Sequence, residues 1–204
     1  MTSKQSAVPF KEIKRYGGFH GNAGVVMQEI QHYSMVQVTA FPGSEKAMFA
    51  ALAAELGVSV DGTSGKGGVN DDGTIRAVWM SLNSYLIVAG GMPDRALVDR
   101  LATACGEHAL VTDQSAGRAC FELKGDAVVE LLMMESATDF AADAFGPGES
   151  RAASWAGISC LVYFADGSDT RKPIFNLFPN RSFAQSLWEE LCEAGQEYAV
   201  QVIG

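Results

Sequence analysis

The order of secondary-structure signals along this chain runs strand, helix, strand, strand, helix, strand, and then runs through the same six again. Residues 34–40 alternate, with Val36, Val38 and Ala40 on one face. Pro42-Gly43-Ser44 turns the chain, Ser44 is placed to cap a helix, and Met48, Phe49, Leu52 and Leu56 recur at helical spacing until Gly57. An exposed glycine-rich loop is expected over 61–73. Strands over 75–82 and 85–89 form a hairpin around Asn83-Ser84. Pro93 suits the first turn of a second helix with Leu97, Val98, Leu101 and Cys105 inward, and residues 109–112 close the first set.

The second set opens with a strand over 118–123, Ala119, Phe121 and Leu123 facing one way. A helix follows with Ala127, Val128, Leu131 and Leu132 inward, and then a loop through Gly146-Pro147-Gly148. Strands over 158–164 and 173–178 flank the turn Asp166-Gly167-Ser168-Asp169. Ser182 and Gln185 fit a capping box for a helix with Phe183, Leu187, Trp188 and Leu191 inward, and Tyr198, Val200 and Val202 alternate in a last strand. Two βαββαβ units predict an α+β fold of two packed ferredoxin-like halves, over 34–114 and 115–204. Residues 1–33 fit neither half. They read as an N-terminal arm and irregular segment, with one extra strand over 25–30. The arm carries Lys4, Lys11, Lys14 and Arg15 against Glu12 alone. It is expected either as a solvated tail or lying across acidic surface of a partner or of the chain itself.

Composition excludes several function classes. The 204 residues are 48% hydrophobic and carry a net charge of −9, which disfavours nucleic acid and anionic membrane as partners. Residues 1–10 hold no apolar run of signal-peptide length and no stretch reaches membrane-span length, so a cytoplasmic protein is expected. Cys105, Cys120, Cys160 and Cys192 are too widely spaced for a zinc or redox motif and read as buried thiols.

No reactive constellation appears. The stretch Gly62-Thr63-Ser64-Gly65-Lys66-Gly67-Gly68 lacks the glycine spacing and the following Ser or Thr of a phosphate loop, and a strand follows it, not a helix. His20, His32 and His108 share no helical face, no G-x-S-x-G elbow occurs, and Asp71-Asp72 and Asp166 to Asp169 lack the EF-hand register. The expected catalytic, cofactor-binding and metal residues are therefore none. Trp79 and Trp188 read as core. Trp155, after Ala152-Ala153-Ser154 at the start of a strand, is a candidate interface anchor, joined by Phe175 and Phe178 from an apolar run too dense for one sheet face.

Three blocks resemble the gamma subunit of heterotetrameric sarcosine oxidase. They are Trp79-Met80-Ser81-Leu82-Asn83-Ser84-Tyr85-Leu86-Ile87, then Asp113-Gln114-Ser115-Ala116-Gly117-Arg118 with Leu123, Gly125, Asp139, Phe140 and Phe145, and then the run Phe175 to Ala184 with Leu187-Trp188. The chain departs from the pattern at Asn83-Ser84-Tyr85 and at Met133-Met134-Glu135. The resemblance, over residues 34–204, implies a single domain similar to the folate-binding domain of aminomethyltransferases. It implies a non-catalytic companion of a large alpha subunit, packed on that subunit's folate-binding half, with beta and delta subunits alongside. FAD, FMN, NAD, zinc and tetrahydrofolate would sit on those partners. The complex would oxidise sarcosine, or a related N-methyl amino acid, to glycine. A stand-alone folate-binding or aminomethyltransferase-like protein and a small-molecule sensor or scaffold are the rival readings.

Overall fold

The computed structural model describes residues 5–18, 22–134, 136–141, 143–169 and 171–204. Lys4, His20, Gly21 and Glu135 lie outside them. In chain order the elements are β1 (Arg15–Tyr16), β2 (Val25–Glu29), β3 (Tyr33–Ala40), α1 (Glu45–Leu56), β4 (Gly68–Val69), β5 (Ile75–Ser81) and β6 (Ser84–Gly90). They continue as α2 (Asp94–Cys105), β7 (Ala109–Asp113), β8 (Phe121–Lys124), α3 (Val128–Met133), β9 (Ser150–Trp155), β10 (Ile158–Asp166), β11 (Ile174–Pro179), α4 (Ala184–Ala194) and β12 (Val200–Ile203). Two compact units result. One comprises residues 32–117 with 148–151; the other comprises the segment up to Gln31, 118–147 and 152–204. Among the described residues no helix is long and apolar enough to cross a membrane.

The first unit has an antiparallel sheet of order β4-β5-β6-β3-β7, which contains the ferredoxin-like order of a βαββαβ unit. Val36 and Val38 from β3 pack with Met48 and Leu52 of α1 and with Leu97 and Leu101 of α2. Helix α1 stops at Gly57, whose φ of 68° lets its N–H reach the Ala53 carbonyl. Ser44 stands at the cap position, but its side chain makes no capping bond. Pro93 is likewise the N-cap of α2 and not its first helical residue.

Two expectations for this unit are corrected. The glycine-rich stretch is not all loop, because β4 pairs with β5 through Gly68↔Ala77 and Val69↔Arg76. The hairpin turn is Leu82-Asn83, one residue earlier than predicted. A register shift between Trp79 and Ser81 moves it, and Ser84 enters the strand, its hydroxyl 2.8 Å from that of Thr39.

The second unit has a seven-stranded sheet of order β1-β12-β2-β8-β11-β10-β9. Here the N-terminal segment overturns the expectation that it fits neither half. Strand β2 lies inside the sheet, parallel to β12 and antiparallel to β8. It occupies the place where the first and fourth strands of a ferredoxin-like unit ordinarily pair. Val25 and Met27 are fully buried beside Phe121, Leu123, Val200 and Val202. Gly125 follows β8 against this strand, and a Cβ there would meet the Gly24 carbonyl oxygen at 2.0 Å.

Helix α3 has only six residues, and Phe140 and Phe145 from the loop after it fill the core beyond its end. Strand β9, not foreseen in the sequence, forms the far edge. The capping box on α4 does not form. A 3-10 turn, Arg181–Phe183, precedes the helix, Gln185 bonds Glu189 at 2.8 Å instead, and Phe183 points outward at 52% exposure. The α4 stripe that is buried consists of Ala184, Leu187, Trp188, Leu191 and Cys192.

Candidate functional site

The three aromatic side chains expected at an interface are interior residues. Trp155 is 1% exposed. Its indole Nε1 donates to the Leu132 carbonyl at 3.1 Å and its ring stacks on Phe140 at 6.0 Å. Phe175 is fully buried and stacks on Phe164 at 4.5 Å. Phe178 faces the other way on β11 but is also closed to solvent, as are Cys120, Leu161 and Tyr163. The apolar run exceeds one sheet face as predicted, yet its remainder is buried. The exposure that a docking role required is therefore absent at these three positions.

The basic N-terminal arm folds onto its own unit around Glu29. This carboxylate shares the inward face of β2 with Val25 and Met27 and is itself buried. It accepts 2.6 Å bonds from the Ser6 hydroxyl, the Ala7 N–H and the Lys11 ammonium, and a 3.0 Å bond from Gln31. Arg181 holds the same segment by donating to the Gln5 carbonyl at 2.5 Å and the Ser6 carbonyl at 3.1 Å. Burial pushes the Glu29 carboxyl up, but the bonds from Lys11, Ser6, Gln31 and Ala7 outweigh it and hold it below the usual carboxylate range.

Glu29 thus has a testable pH signature. Because its folded pKa is depressed, its contribution is fully present above about pH 4.3, the unfolded value, and drains away as pH falls through the folded value. Glu29→Gln is expected to cost about 1.5–3 kcal/mol near neutrality, the scale of hydrogen bonds to a charged group. In thermal melts the gap between wild type and variant should close below pH 4; a gap of constant size down to pH 2 would contradict this assignment.

A shallow cavity of about 250 Å³ lies between this arm and α4, lined by Phe10, Lys11, Tyr16, Trp188, Glu189 and Cys192 among others. The Trp188 Nε1 has no hydrogen-bond partner among the described residues. Tyr16 hydrogen-bonds the Cys192 thiol, and burial pushes that thiol up to about 12. Burial also raises Cys105 and Cys160. All four thiols are free and buried. The three with raised pKa values stay protonated near neutral pH, which disarms them as nucleophiles and metal ligands.

Other candidate chemistry resolves into local structure. Lys66 pairs with Glu149, and its glycine-rich stretch leads into β4 and not into a helix. Asp72 accepts the Thr74 N–H and Asp166 the Ser168 N–H, both as turn bonds. His32 and His108 are exposed. Among the described residues no group of three or more His, Cys, Asp or Glu side chains is placed to hold a metal ion.

The motif residues instead pin the chain's own backbone. Arg118 donates to the Phe178 carbonyl at 2.9 Å, and residue 118 bridges to Asn180. The Ser115 hydroxyl accepts the Met35 N–H at 3.0 Å, and Asp113 accepts the Ser115 N–H at 2.8 Å. Glu29 was missed at the sequence level. Its signal was a lone acid on the inward parity of an otherwise apolar strand.

Comparison with known proteins shows the family. The model of the "Sarcosine oxidase, gamma subunit family" matches residues 32–197. This chain belongs to that family. Within it, sarcosine oxidase subunit gamma of Arthrobacter sp is 31% identical over 177 residues, covering 86% of this chain and 82% of that protein. The Corynebacterium sp. (strain U-96) subunit is 28% identical over 180 residues, covering 88% and 83%. Among solved structures, the heterotetrameric sarcosine oxidase from Corynebacterium sp. U-96, in complex with pyrrole 2-carboxylate, superposes with a TM-score of 0.76 at 27% identity, covering 88% of this chain and 87% of that one. The glycine cleavage system aminomethyltransferase T from Bartonella henselae gives a TM-score of 0.63 at 14% identity, over 89% of this chain and 48% of that one. That likeness is one of fold and bears out the expected aminomethyltransferase-like fold.

Proposed function

We propose that the chain is a non-catalytic gamma subunit of a sarcosine-oxidase-like heterotetramer acting in the cytoplasm. The observation that carries the reading is the match, over nearly its whole length, to a chain of a heterotetrameric sarcosine oxidase. The family's motif residues support it, because Ser115, Arg118 and Gly125 fix strand positions in this chain and no reacting group is needed to explain them. In this reading the alpha, beta and delta subunits carry FAD, FMN, NAD, zinc and tetrahydrofolate. They oxidise sarcosine, or a related N-methyl amino acid, to glycine, pass electrons to oxygen and deliver the one-carbon unit to tetrahydrofolate. This chain contributes shape: a rigid companion to the large subunit's folate-binding half.

The test is reconstitution. The chain expressed alone should show no flavin absorbance and no sarcosine-dependent oxygen uptake. Co-expression with the three other subunits should yield a four-chain particle whose uptake falls at least tenfold when this chain is omitted. Turnover by the lone chain, or tight tetrahydrofolate binding to it by calorimetry, would replace this reading with a stand-alone folate-binding enzyme.

A further inference from the structure

Strand β7 is an edge strand, with β3 on one side and, among the described residues, no ladder on the other. The Phe41 N–H bonds the His108 carbonyl at 3.0 Å and the Gln114 N–H bonds the Met35 carbonyl at 2.8 Å. The register places Leu110 opposite Thr39 and Thr112 opposite Gln37. Bonded pairs alternate in an antiparallel ladder, so Leu110 and Thr112 spend their backbone groups on β3. The N–H and C=O groups of Val111 and Asp113 therefore face outward, away from β3, while Ala109 is buried where the strand begins.

This edge lacks the usual protections. It runs five residues with no proline, lysine or arginine and no register shift, whereas the edge strands β1 and β4 are two residues each and the longer edge strand β9 carries Arg151. Leu110 is 56% exposed, and Phe41 and Leu82 are 46% and 71% exposed. The three belong to one end of the sheet. Phe41 is bonded to His108 just before β7, and Asn83, next to Leu82, donates its side-chain amide to the Ala40 carbonyl at 3.2 Å. Exposed Glu107 and Asp113 stand at the two ends of the strand.

We propose that β7 receives an extended segment of a partner subunit as a sixth strand, with apolar side chains covering Phe41, Leu82 and Leu110. Only an extended backbone can satisfy a row of alternating outward donors and acceptors, which specifies the occupant's conformation. The flanking carboxylates favour a strand with Lys or Arg near its ends. This inference rests on the proposed membership of a heterotetramer.

The test uses the reconstituted complex and two variants. Val111→Pro removes one outward N–H while sparing every β3 bond, an arrangement edge strands tolerate. Leu110→Lys places charge in the apolar patch without touching the backbone. Each should weaken recovery of the partner subunits about tenfold, the effect of losing roughly 1.4 kcal/mol, while the free chain melts as wild type. In the wild-type complex the amides of Val111 and Asp113 should exchange with deuterium far more slowly than in the free chain. If wild type binds its partners while these amides exchange as fast as before and Leu110→Lys binds equally well, the edge is not the docking site. Protection already present in the chain alone, together with a dimer in sedimentation, would assign the edge to a second copy and overturn the partner-subunit occupant. A wild-type chain that recovers no partner subunit removes the heterotetramer reading itself, and this proposal with it.

Discussion

Deleting residues 1–31 is expected to unfold the second unit. The segment looks expendable, since the family match begins at residue 32. Yet β2 pairs on one side with β12, through Val25↔Val200 and its neighbours, and on the other with β8, through Met27↔Leu123 and its neighbours. Without it both flanking strands acquire open edges inside the sheet. Val8, Val25 and Met27, each fully buried, also leave the core. At about 1.5–3 kcal/mol per buried side chain of this size, their loss approaches the roughly 5–15 kcal/mol that holds a whole domain folded. The truncated chain should precipitate, or should show red-shifted tryptophan emission and lose near-ultraviolet circular dichroism. A truncated chain that melts within a few degrees of wild type would show that the sheet closes without β2.

Trp155→Ala should be the most damaging single substitution in the second unit's aromatic core. It removes a ring that stacks on Phe140 and leaves the Leu132 carbonyl without the indole donor. Truncating a buried Trp costs about 3–5 kcal/mol, and an unpaired buried acceptor adds about 1–3 kcal/mol. For a chain of this size the melting temperature should drop on the order of 10 °C or more. Trp155→Phe keeps the stacking and loses only the hydrogen bond, so it should fall well short of that. An alanine variant with unchanged melting but impaired assembly would return Trp155 to the surface role expected from sequence.

The contrast between the two units explains what the sequence could and could not reveal. In the first unit each strand neighbours another that local pattern already identifies. The alternation of Val36, Val38 and Ala40 and the four-residue spacing of Met48, Leu52 and Leu56 helped to give its βαββαβ order, short of the two-residue β4. The second unit depends on a long-range pairing. Residues 25–30 announce a strand by alternation, but no local signal says that its neighbours are β8 and β12. Strand β9 was missed because Arg151, Ala152, Ala153 and Ser154 have weak strand propensity, and Trp155 therefore appeared to start a strand when it ends one. At α4 the capping pattern was present, but the 3-10 turn rotated Phe183 outward. The open edge at β7 was invisible for a different reason: residues 109–113 look like any half-buried strand until the topology shows that, among the described residues, one side has no neighbour.

The placement of β2 has a consequence for how the polypeptide is made. During synthesis, residues 32–117 emerge as an almost complete set of strands and helices and can begin to collapse on the ribosome. Val25 emerges earlier still, but its pairing partner Val200 follows only after the whole of the first unit and most of the second. Until β12 emerges β2 must stay unpaired on one side, an apolar ribbon available to chaperones or to neighbouring nascent chains, and the second sheet closes only then.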